Sequence, residues 1–248
     1  MSPGFTGRVV AVTGAGGGIG SATARAFSAA GATVVGLDLT EGELPDGVSF
    51  LRCDVTDDAT VAAAFSRLAS EHGRLDVLVN NSGVPSRGTV ETATDAEWLR
   101  VFEINVFGLA RVSRHALPLI RATGSGSIVN VASVNAVAGT PLRAVYSASK
   151  GAVAALTRAM AADLLEEGIR VNAVHPGPVL TAGTGRNDDD REAAIRLMEA
   201  SQPLGHMIDV DEIADAIVYL ARPSNRSLTG AELLYDGSHV EVVNVGTR

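Results

Sequence analysis

Apolar and polar positions alternate in blocks along the chain, with short runs rich in Val, Ile and Leu separated by Ala-rich segments of helical length. Near-continuous apolar runs of this kind are typical of strands that are buried on both faces of a sheet. The strand-like runs are 9–12, 33–37, 48–51, 77–79, 128–131, 169–174 and 232–235. We therefore predict one α/β domain over residues 1–248, a doubly wound parallel sheet of about seven strands with helices on both faces.

Polar residues mark where the helices begin. Thr94 and Glu97 have the spacing of a capping box, and Asp209 and Thr56 precede segments with helical apolar periodicity, which they are expected to cap. Pro118 is expected to bend or end the helix that begins near residue 95, because proline lacks an amide hydrogen. The segment 177–190 is rich in Gly, Pro and Asp, so we expect a mobile loop there and a substrate loop over 177–206.

Composition excludes several classes of protein. The chain is 46% hydrophobic and 19% charged, which is typical of a folded globular protein. A net charge of −8 with scattered arginines argues against a nucleic-acid partner. The single Cys53 excludes a disulfide framework and a Cys-rich zinc site, and the five histidines lack metal-ligand spacing, so no metal is expected. With no signal-peptide pattern and no apolar run of membrane length, we expect a cytoplasmic protein without a membrane partner.

A glycine-rich turn follows the first predicted strand and precedes a helix. Its glycines include Gly14, Gly16, Gly18 and Gly20, while Ile19 occupies the last glycine position of the G-x-G-x-x-G dinucleotide fingerprint. Glycines let a backbone approach a pyrophosphate closely, and the start of the helix favours its negative charge. A plain loop is the alternative for a glycine-rich turn taken alone. The strand before the turn and the helix after it favour a phosphate site.

Asp38 ends the second strand, 18 residues after Gly20. A carboxylate near this spacing accepts hydrogen bonds from the adenosine ribose and repels a 2′-phosphate. The neighbouring residues Ala15 and Leu39 are not basic, so the sequence favours NAD over NADP as the cofactor. An ordinary strand-end aspartate that caps a turn is the alternative.

Polar residues collect where the predicted strands end. Asp54 follows the third strand, 80–83 the fourth, Ser133 the fifth and 175–177 the sixth. Parallel strands end at one edge of a sheet, and ligands of open α/β sheets bind outside that edge. Each residue alone has an explanation as a turn former, but together they predict a ligand cleft.

The reactive group is predicted at the start of an Ala-rich helix. Tyr146 and Lys150 are four residues apart and share a helix face, so the ammonium is expected to lower the tyrosine pKa and make it a general acid/base. Lys150 is the single lysine beside 19 arginines, which suggests chemistry that a guanidinium cannot perform. Ser133 is placed to hydrogen-bond the reacting oxygen, or else belongs to a plain turn. Asn105 takes an inward helical position, as a functional group or as a satisfied core amide.

In order and spacing, these residues resemble the short-chain dehydrogenase/reductase family in its compact, single-domain branch, from residue 8 to about 237. Four elements carry the resemblance: the turn with Thr13, Gly14, Gly18 and Gly20; Asn80-Asn81-Ser82-Gly83, with Ser82 in place of alanine; the tetrad Asn105, Ser133, Tyr146 and Lys150; and Pro176-Gly177-Pro178-Val179-Leu180-Thr181. It implies a Rossmann-type fold and a homotetramer. The family often has D-G-G after its last strand, whereas this chain has Asp236-Gly237-Ser238.

The resemblance also implies roles for individual residues. Tyr146 exchanges a proton with the substrate oxygen, Ser133 orients that oxygen, and Lys150 holds the nicotinamide ribose, while Asn105 anchors a water of the proton relay. Adenine contacts are expected from Asp54 and Val55. The full set of expected cofactor contacts is Gly14, Gly16, Gly18, Ile19, Gly20, Asp38, Leu39, Asp54, Val55, Asn81, Gly83, Tyr146, Lys150, Pro176, Gly177, Val179 and Thr181.

The sequence hypothesis is therefore an NAD-dependent oxidoreductase that interconverts a small secondary alcohol and a ketone. An NADP-dependent 3-oxoacyl reductase is the runner-up, opposed by Asp38 and Leu39, and a non-catalytic NAD-binding protein is the third possibility, opposed by the complete tetrad. Expected substrate-pocket residues are Val84, Asn135, Leu142 and Leu180. The apolar C-terminal tail, 238–248, is expected to pack at a subunit interface.

Overall fold

The structure, a computed structural model, describes residues 4–42, 44–181, 184, 190–200, 202–238 and 240. Its strands are β1 Val9–Thr13, β2 Thr33–Asp38, β3 Ser49–Arg52, β4 Val77–Asn80, β5 Gly126–Val131, β6 Ile169–Pro176, β7 Val179–Leu180, β8 Ile208–Asp209 and β9 Glu232–Tyr235. Its α-helices are α1 Gly18–Ala29, α2 Asp58–His72, α3 Asp95–Phe102, α4 Gly108–Arg121, α5 Ala144–Asp163, α6 Arg191–Ala200 and α7 Val210–Ala221. A π-helical turn, Glu103–Phe107, joins α3 to α4.

Seven parallel strands form the main sheet in the order β3-β2-β1-β4-β5-β6-β9, which confirms the predicted fold class. The chain builds outward from β1 to β3, then crosses back to place β4 on the other side of β1. The loops after β1 and β4 therefore diverge and leave a crevice at the carboxyl edge of the sheet. A separate pair of short strands, β7 and β8, was not predicted.

Two apolar cores cover the two faces of the sheet because side chains alternate along each buried strand. Val9 and Ala11 of β1 face one core, where α2 and α4 pack. Val10 and Val12 face the other, where α1 and α7 pack. The whole of β1 is buried, as its continuous apolar sequence predicted.

Helix ends were predicted in part. Thr94 accepts a hydrogen bond from the Glu97 amide and begins α3, and Asp209 forms a full capping box with Glu212 at α7. Thr56 was wrong as a cap: the Asp57 side chain accepts from the Ala59 amide and begins α2.

Pro118, which was predicted to bend or end its helix, lies inside α4, which continues to Arg121, so the helix does not end at the proline. Within the expected substrate loop 177–206, the described residues contain β7 and α6, whereas 182–183, 185–189 and 201 lie outside the described part of the chain. The expected interface tail lies outside it too, apart from Ser238 and Val240. No helix of the described residues has the length and apolarity to cross a bilayer.

Candidate functional site

A cleft of about 610 Å³ opens at the carboxyl edge of the sheet, at the crevice between β1 and β4. It brings together most residues that the sequence singled out as cofactor contacts. Its predicted lining residues are Gly14, Ile19, Asp38, Leu39, Asp54, Val55, Asn81, Gly83, Ser133, Tyr146, Lys150, Pro176, Gly177, Val179 and Thr181. Gly16, Gly18, Gly20 and Asn105 are not among its lining residues.

The glycine turn is held by close backbone contacts. Gly14 has a φ of 64°, in the left-handed region that favours glycine. A Cβ on Gly20 would lie 2.0 Å from the Gly14 carbonyl oxygen, so only glycine fits there. The Asn81 side chain donates to the carbonyls of Thr13 and Gly14. The side-chain amide of Asn81 thus stabilises the turn, and the absence of a side chain at Gly20 lets the first turn of α1 pack directly against it.

Asp38 is bound to the same turn. One of its carboxylate oxygens accepts from the Gly16 amide at 2.8 Å and the other from the Leu39 amide at 2.7 Å. Carboxylate oxygens accept more than one bond each, so capacity remains for two ribose hydroxyls. Arg52, which the sequence interpretation did not consider, is paired with Asp38 in the β2–β3 register and brings a cation to this end of the cleft.

Asp54 and Val55 follow β3 and form the next part of the cleft wall. The Asp54 carboxylate accepts from both the amide and the hydroxyl of Thr56, and these bonds hold its pKa below the ordinary value. Cys53 also lines the cleft, where burial raises its thiol pKa to about 11 and keeps it protonated. This wall suits a flat, uncharged ring beside one carboxylate.

The opposite end of the cleft holds Tyr146, in the first turn of α5, and Ser133, after β5. Burial raises the pKa of Tyr146 above its ordinary value, while a hydrogen bond with Ser133 and the charge of Arg143 act to lower it. The charge of Arg143 is a contribution that the sequence did not identify, and the lowering by Lys150 stays a prediction. The phenol is therefore set as a proton donor near neutral pH, with Ser133 oriented toward it.

Lys150 lies one turn further along α5, with its Nζ 5.8 Å from the centroid of the Tyr146 ring. Nζ donates to the Val131 carbonyl at 2.7 Å and is buried. Burial lowers the pKa of Lys150 to about 8. The ammonium therefore loses its proton near pH 8, within the pH range in which a proton relay through Tyr146 would operate.

Asn105 lies in the π-helical turn and is 1% exposed. Its side-chain oxygen accepts from the Val84 amide, and its nitrogen donates to the Val84 carbonyl and to the Ser149 hydroxyl. The description as a satisfied core amide therefore fits its side chain, which holds the segment after β4 against α5. Its role in a proton relay stays a prediction.

His175 is buried next to the backbone of Ser133. Its Nδ1 lies 3.0 Å from the Ser133 carbonyl oxygen, so that nitrogen carries the hydrogen. Burial lowers the pKa of His175, and Nε2 lies 3.3 Å from a Glu232 carboxylate oxygen. The imidazole supports the backbone of Ser133 from behind.

The expected substrate residues are scattered. Val84 lines the cleft, and Leu180 lines a neighbouring cavity of about 480 Å³. The Asn135 side chain accepts from the Thr140 hydroxyl, and Leu142 is 41% exposed. Residues of the cleft wall that sequence reasoning missed are Gly17, Cys53, Thr56, Pro85, Ile104, Val131 and Ala132. Most of them are neighbours in the sequence of a predicted cleft residue, and this was the feature of the sequence that could have identified them.

Together these residues fit a nicotinamide dinucleotide. Glycines line the turn where a pyrophosphate needs close approach, since a Cβ on Gly16 would press against Asp38 and one on Gly18 against Thr181. A carboxylate stands at the ribose position and a Tyr–Lys pair at the reactive end. The described residues contain no group of His, Cys, Asp and Glu side chains that could hold a metal ion.

Comparisons with known proteins agree with this geometry. A family model described as enoyl-(acyl carrier protein) reductase matches residues 14–238. The chain is 41% identical over 254 residues to cis-4-hydroxycyclohexanecarboxylate dehydrogenase of Sinomonas cyclohexanicum, covering 98% of this chain and 100% of that protein. Aldohexose dehydrogenase of Thermoplasma acidophilum, in ligand-free form, superposes with a TM-score of 0.91 at 32% identity over 100% of this chain and 99% of that one.

A further solved structure, ElxO with NADP bound, superposes with a TM-score of 0.88 at 27% identity, over 95% of this chain and 99% of that one. Two of the three similar proteins are thus named as dehydrogenases, and the third binds NADP.

Proposed function

The chain belongs to the short-chain dehydrogenase/reductase family, and from that premise we propose that it is an NAD-dependent dehydrogenase that interconverts a secondary alcohol and a ketone. One observation carries the proposal: a single cleft has Asp38 and the glycine turn at one end and Ser133, Tyr146 and Lys150 at the other. This arrangement matches a dinucleotide bound lengthwise, with its nicotinamide beside the tyrosine.

The protein's part in the reaction is proton handling and orientation. A nicotinamide dinucleotide held between Asp38 and Lys150 would supply the hydride acceptor for oxidation and the hydride donor for reduction. Tyr146 takes the hydroxyl proton during oxidation and returns it during reduction. Ser133 hydrogen-bonds the same oxygen and stabilises the charge that develops on it. Because burial raises the pKa of Tyr146, reduction is favoured near neutral pH and oxidation at alkaline pH.

Lys150 assists Tyr146 through its charge. A nearby ammonium favours the phenolate form of a tyrosine. The pKa of Lys150, about 8, means that the cation is present below this pH and lost above it. A cofactor ribose bound beside Nζ would offer its hydroxyls as further hydrogen-bond acceptors. This is the role expected of Lys150, which is to hold the nicotinamide ribose.

Asp38 is the reason to propose NAD rather than NADP. Its carboxylate lies at the ribose end of the cleft and would repel a 2′-phosphate. An NADP-dependent reductase of the 3-oxoacyl type is the second candidate, since Arg52 lies opposite Asp38 in the sheet and a structural relative binds NADP.

The first substrates to test are cyclic hydroxy acids, because a relative of 41% identity is named for cis-4-hydroxycyclohexanecarboxylate. The homotetramer and the cytoplasmic location stay predictions. A small-molecule alcohol is the proposed partner, with no nucleic acid and no membrane.

The test combines turnover with cofactor binding. Purified protein is expected to reduce NAD with 4-hydroxycyclohexanecarboxylate, and Tyr146→Phe to lose about 100- to 10 000-fold in kcat while its NADH affinity stays within about threefold. Fluorescence titration is expected to favour NADH over NADPH by more than about tenfold. Full activity in Tyr146→Phe would refute the mechanism, and tighter NADPH binding would favour the second candidate.

A further inference from the structure

Arg143 lies close to the wall of the cleft, beside the loop that follows β4. It immediately precedes α5, one helical turn before Tyr146. Its guanidinium donates to the Ser86 carbonyl at 2.9 Å, on the loop that follows β4. Two backbone bonds fasten the same place: the Gly88 amide donates to Leu142 at 2.9 Å, and the Ala144 amide donates to Gly88 at 3.2 Å. The guanidinium is therefore held against the loop whose Pro85 lines the cleft, and its charge acts on Tyr146.

The charge of Arg143 is not neutralised by a carboxylate of the described residues, whereas many other arginines of the chain are. Arg74 and Arg111, for example, form ion pairs with Asp76 and Glu103. A guanidinium has five N–H donors, and the bond to the Ser86 carbonyl leaves other donors for an anion.

The acid that shares the Ser86 loop is committed elsewhere. Glu97 of α3 forms an ion pair with Arg100, and its carboxylate also bonds the Ser86 hydroxyl. These bonds hold the Glu97 pKa below its ordinary value, so the carboxylate is charged and satisfied without Arg143. Glu97 is thus engaged by other groups and does not pair with Arg143.

The surroundings of Arg143 are otherwise apolar or neutral. Val84 and Pro85 form the adjacent cleft wall. Leu142, at a φ of 59°, adopts the left-handed conformation that L residues rarely adopt, at a cost of about 1 kcal/mol. The turn at Leu142 places Arg143 directly before the start of α5. A positive group in such surroundings is attractive to an anion and offers little to a neutral alcohol.

We propose that Arg143 binds an anionic group of the substrate, so that the substrate class of this dehydrogenase is a hydroxy acid or its oxo acid. This proposal rests on the proposed function and names its substrate class.

The test uses ligands that lack a hydroxyl, so that binding is measured without turnover. Isothermal titration of cyclohexanecarboxylate and of the neutral cyclohexanecarboxamide is run on the protein with and without NADH. The native protein is expected to prefer the carboxylate, and Arg143→Gln to weaken the carboxylate by about 10- to 100-fold and the carboxamide by less than about threefold. Arg143→Lys is expected to restore part of the preference.

Arg87→Gln is the matched control, since Arg87 is an exposed arginine on the same loop. It is expected to leave both affinities unchanged, with melting curves verifying that each variant is folded. Equal binding of the two ligands by the native protein would overturn the proposal. So would an equal loss of both in Arg143→Gln, which would give Arg143 a purely structural role at the Ser86 loop. Failure to bind NADH would refute the proposed function separately, because the titrations without NADH still report on the carboxylate.

Discussion

Lys150 shows how one residue can serve the reaction at the expense of stability. Its ammonium is buried and donates a hydrogen bond to the Val131 carbonyl. The pKa of about 8 in the folded protein lies below the ordinary value of 10.5, so the unfolded chain binds the proton more tightly. Stability therefore rises as pH increases from about 8 to 10.5, and the full penalty is present below about pH 8. The difference of about 2.5 pKa units corresponds to about 3 kcal/mol.

We accordingly expect Lys150→Met to stabilise the protein while abolishing turnover. At pH 7 the gain in unfolding free energy is about 2 kcal/mol, because the relief of about 3 kcal/mol is offset by about 1 kcal/mol for the unpaired Val131 carbonyl. Denaturant unfolding at pH 7 and at pH 10 measures it, and the advantage is expected to shrink at the higher pH. The control, Arg158→Met, changes an exposed cation of the same helix and is expected to show no such pH dependence. A destabilised Lys150→Met at pH 7 would contradict the argument.

At the scale of elements, the turn between β1 and α1 depends on one close approach. Gly20 belongs to the glycine pattern that the sequence assigned to pyrophosphate binding, yet its Cα faces the Gly14 carbonyl and the Asn81 side chain. A Cβ would lie 2.0 Å and 2.7 Å from these two groups, and the nearer one is backbone. Gly20 thus serves the packing of helix against turn.

Gly20→Ala is therefore expected to lower the unfolding free energy by about 3 kcal/mol and to weaken NADH binding, because the turn must open. Thermal melting and NADH titration measure the two effects. Gly17→Ala is the stability control: its φ is −163°, and a Cβ there would meet no atom within 4 Å. An unchanged melting temperature in Gly20→Ala would show that the turn is more adaptable than its contacts imply.

The elements themselves were largely predictable from the sequence. The central strands β1, β4, β5 and β6 are buried runs rich in apolar residues, and the polar residues that follow such runs converge because parallel strands end at one edge. The cleft could be anticipated on this basis. Helix ends were less predictable, because Thr56 and Asp57 are both good caps and only the backbone path decides between them.

Long-range partners could not be predicted. Asn105 bonds Val84 and Ser149, which are 21 and 44 residues away, and no local pattern signals such a pair. Arg143 looked like another surface arginine until its position beside Tyr146 was known. The sequence therefore specified which residues meet at the sheet edge, while their electrostatic neighbours needed the structure.

Across the whole molecule, the two edges of the sheet have different contents. The carboxyl edge holds the cleft, and the amino edge is tied together around Asp76, just before β4. The buried Asp76 carboxylate accepts from the Val9 amide and pairs with Arg8 and Arg74. Its backbone bonds β1 through Val9 and β5 through Ser127. This edge joins the three central strands and touches none of the residues proposed for the reaction.

Asp76→Asn should therefore separate stability from cofactor binding. Neutralising the buried carboxylate leaves two arginines without their partner, and since both remain partly exposed we expect a loss of about 2–3 kcal/mol, below the full effect of a wholly buried pair. Urea unfolding measures the loss, and NADH titration of the folded fraction is expected to give an unchanged Kd. Glu71→Gln removes an exposed ion pair with Arg67 and is expected to alter neither quantity. Weaker NADH binding by folded Asp76→Asn would mean that a change at the amino edge alters the cleft through the central strands. The two edges would then not act independently in stability and cofactor binding.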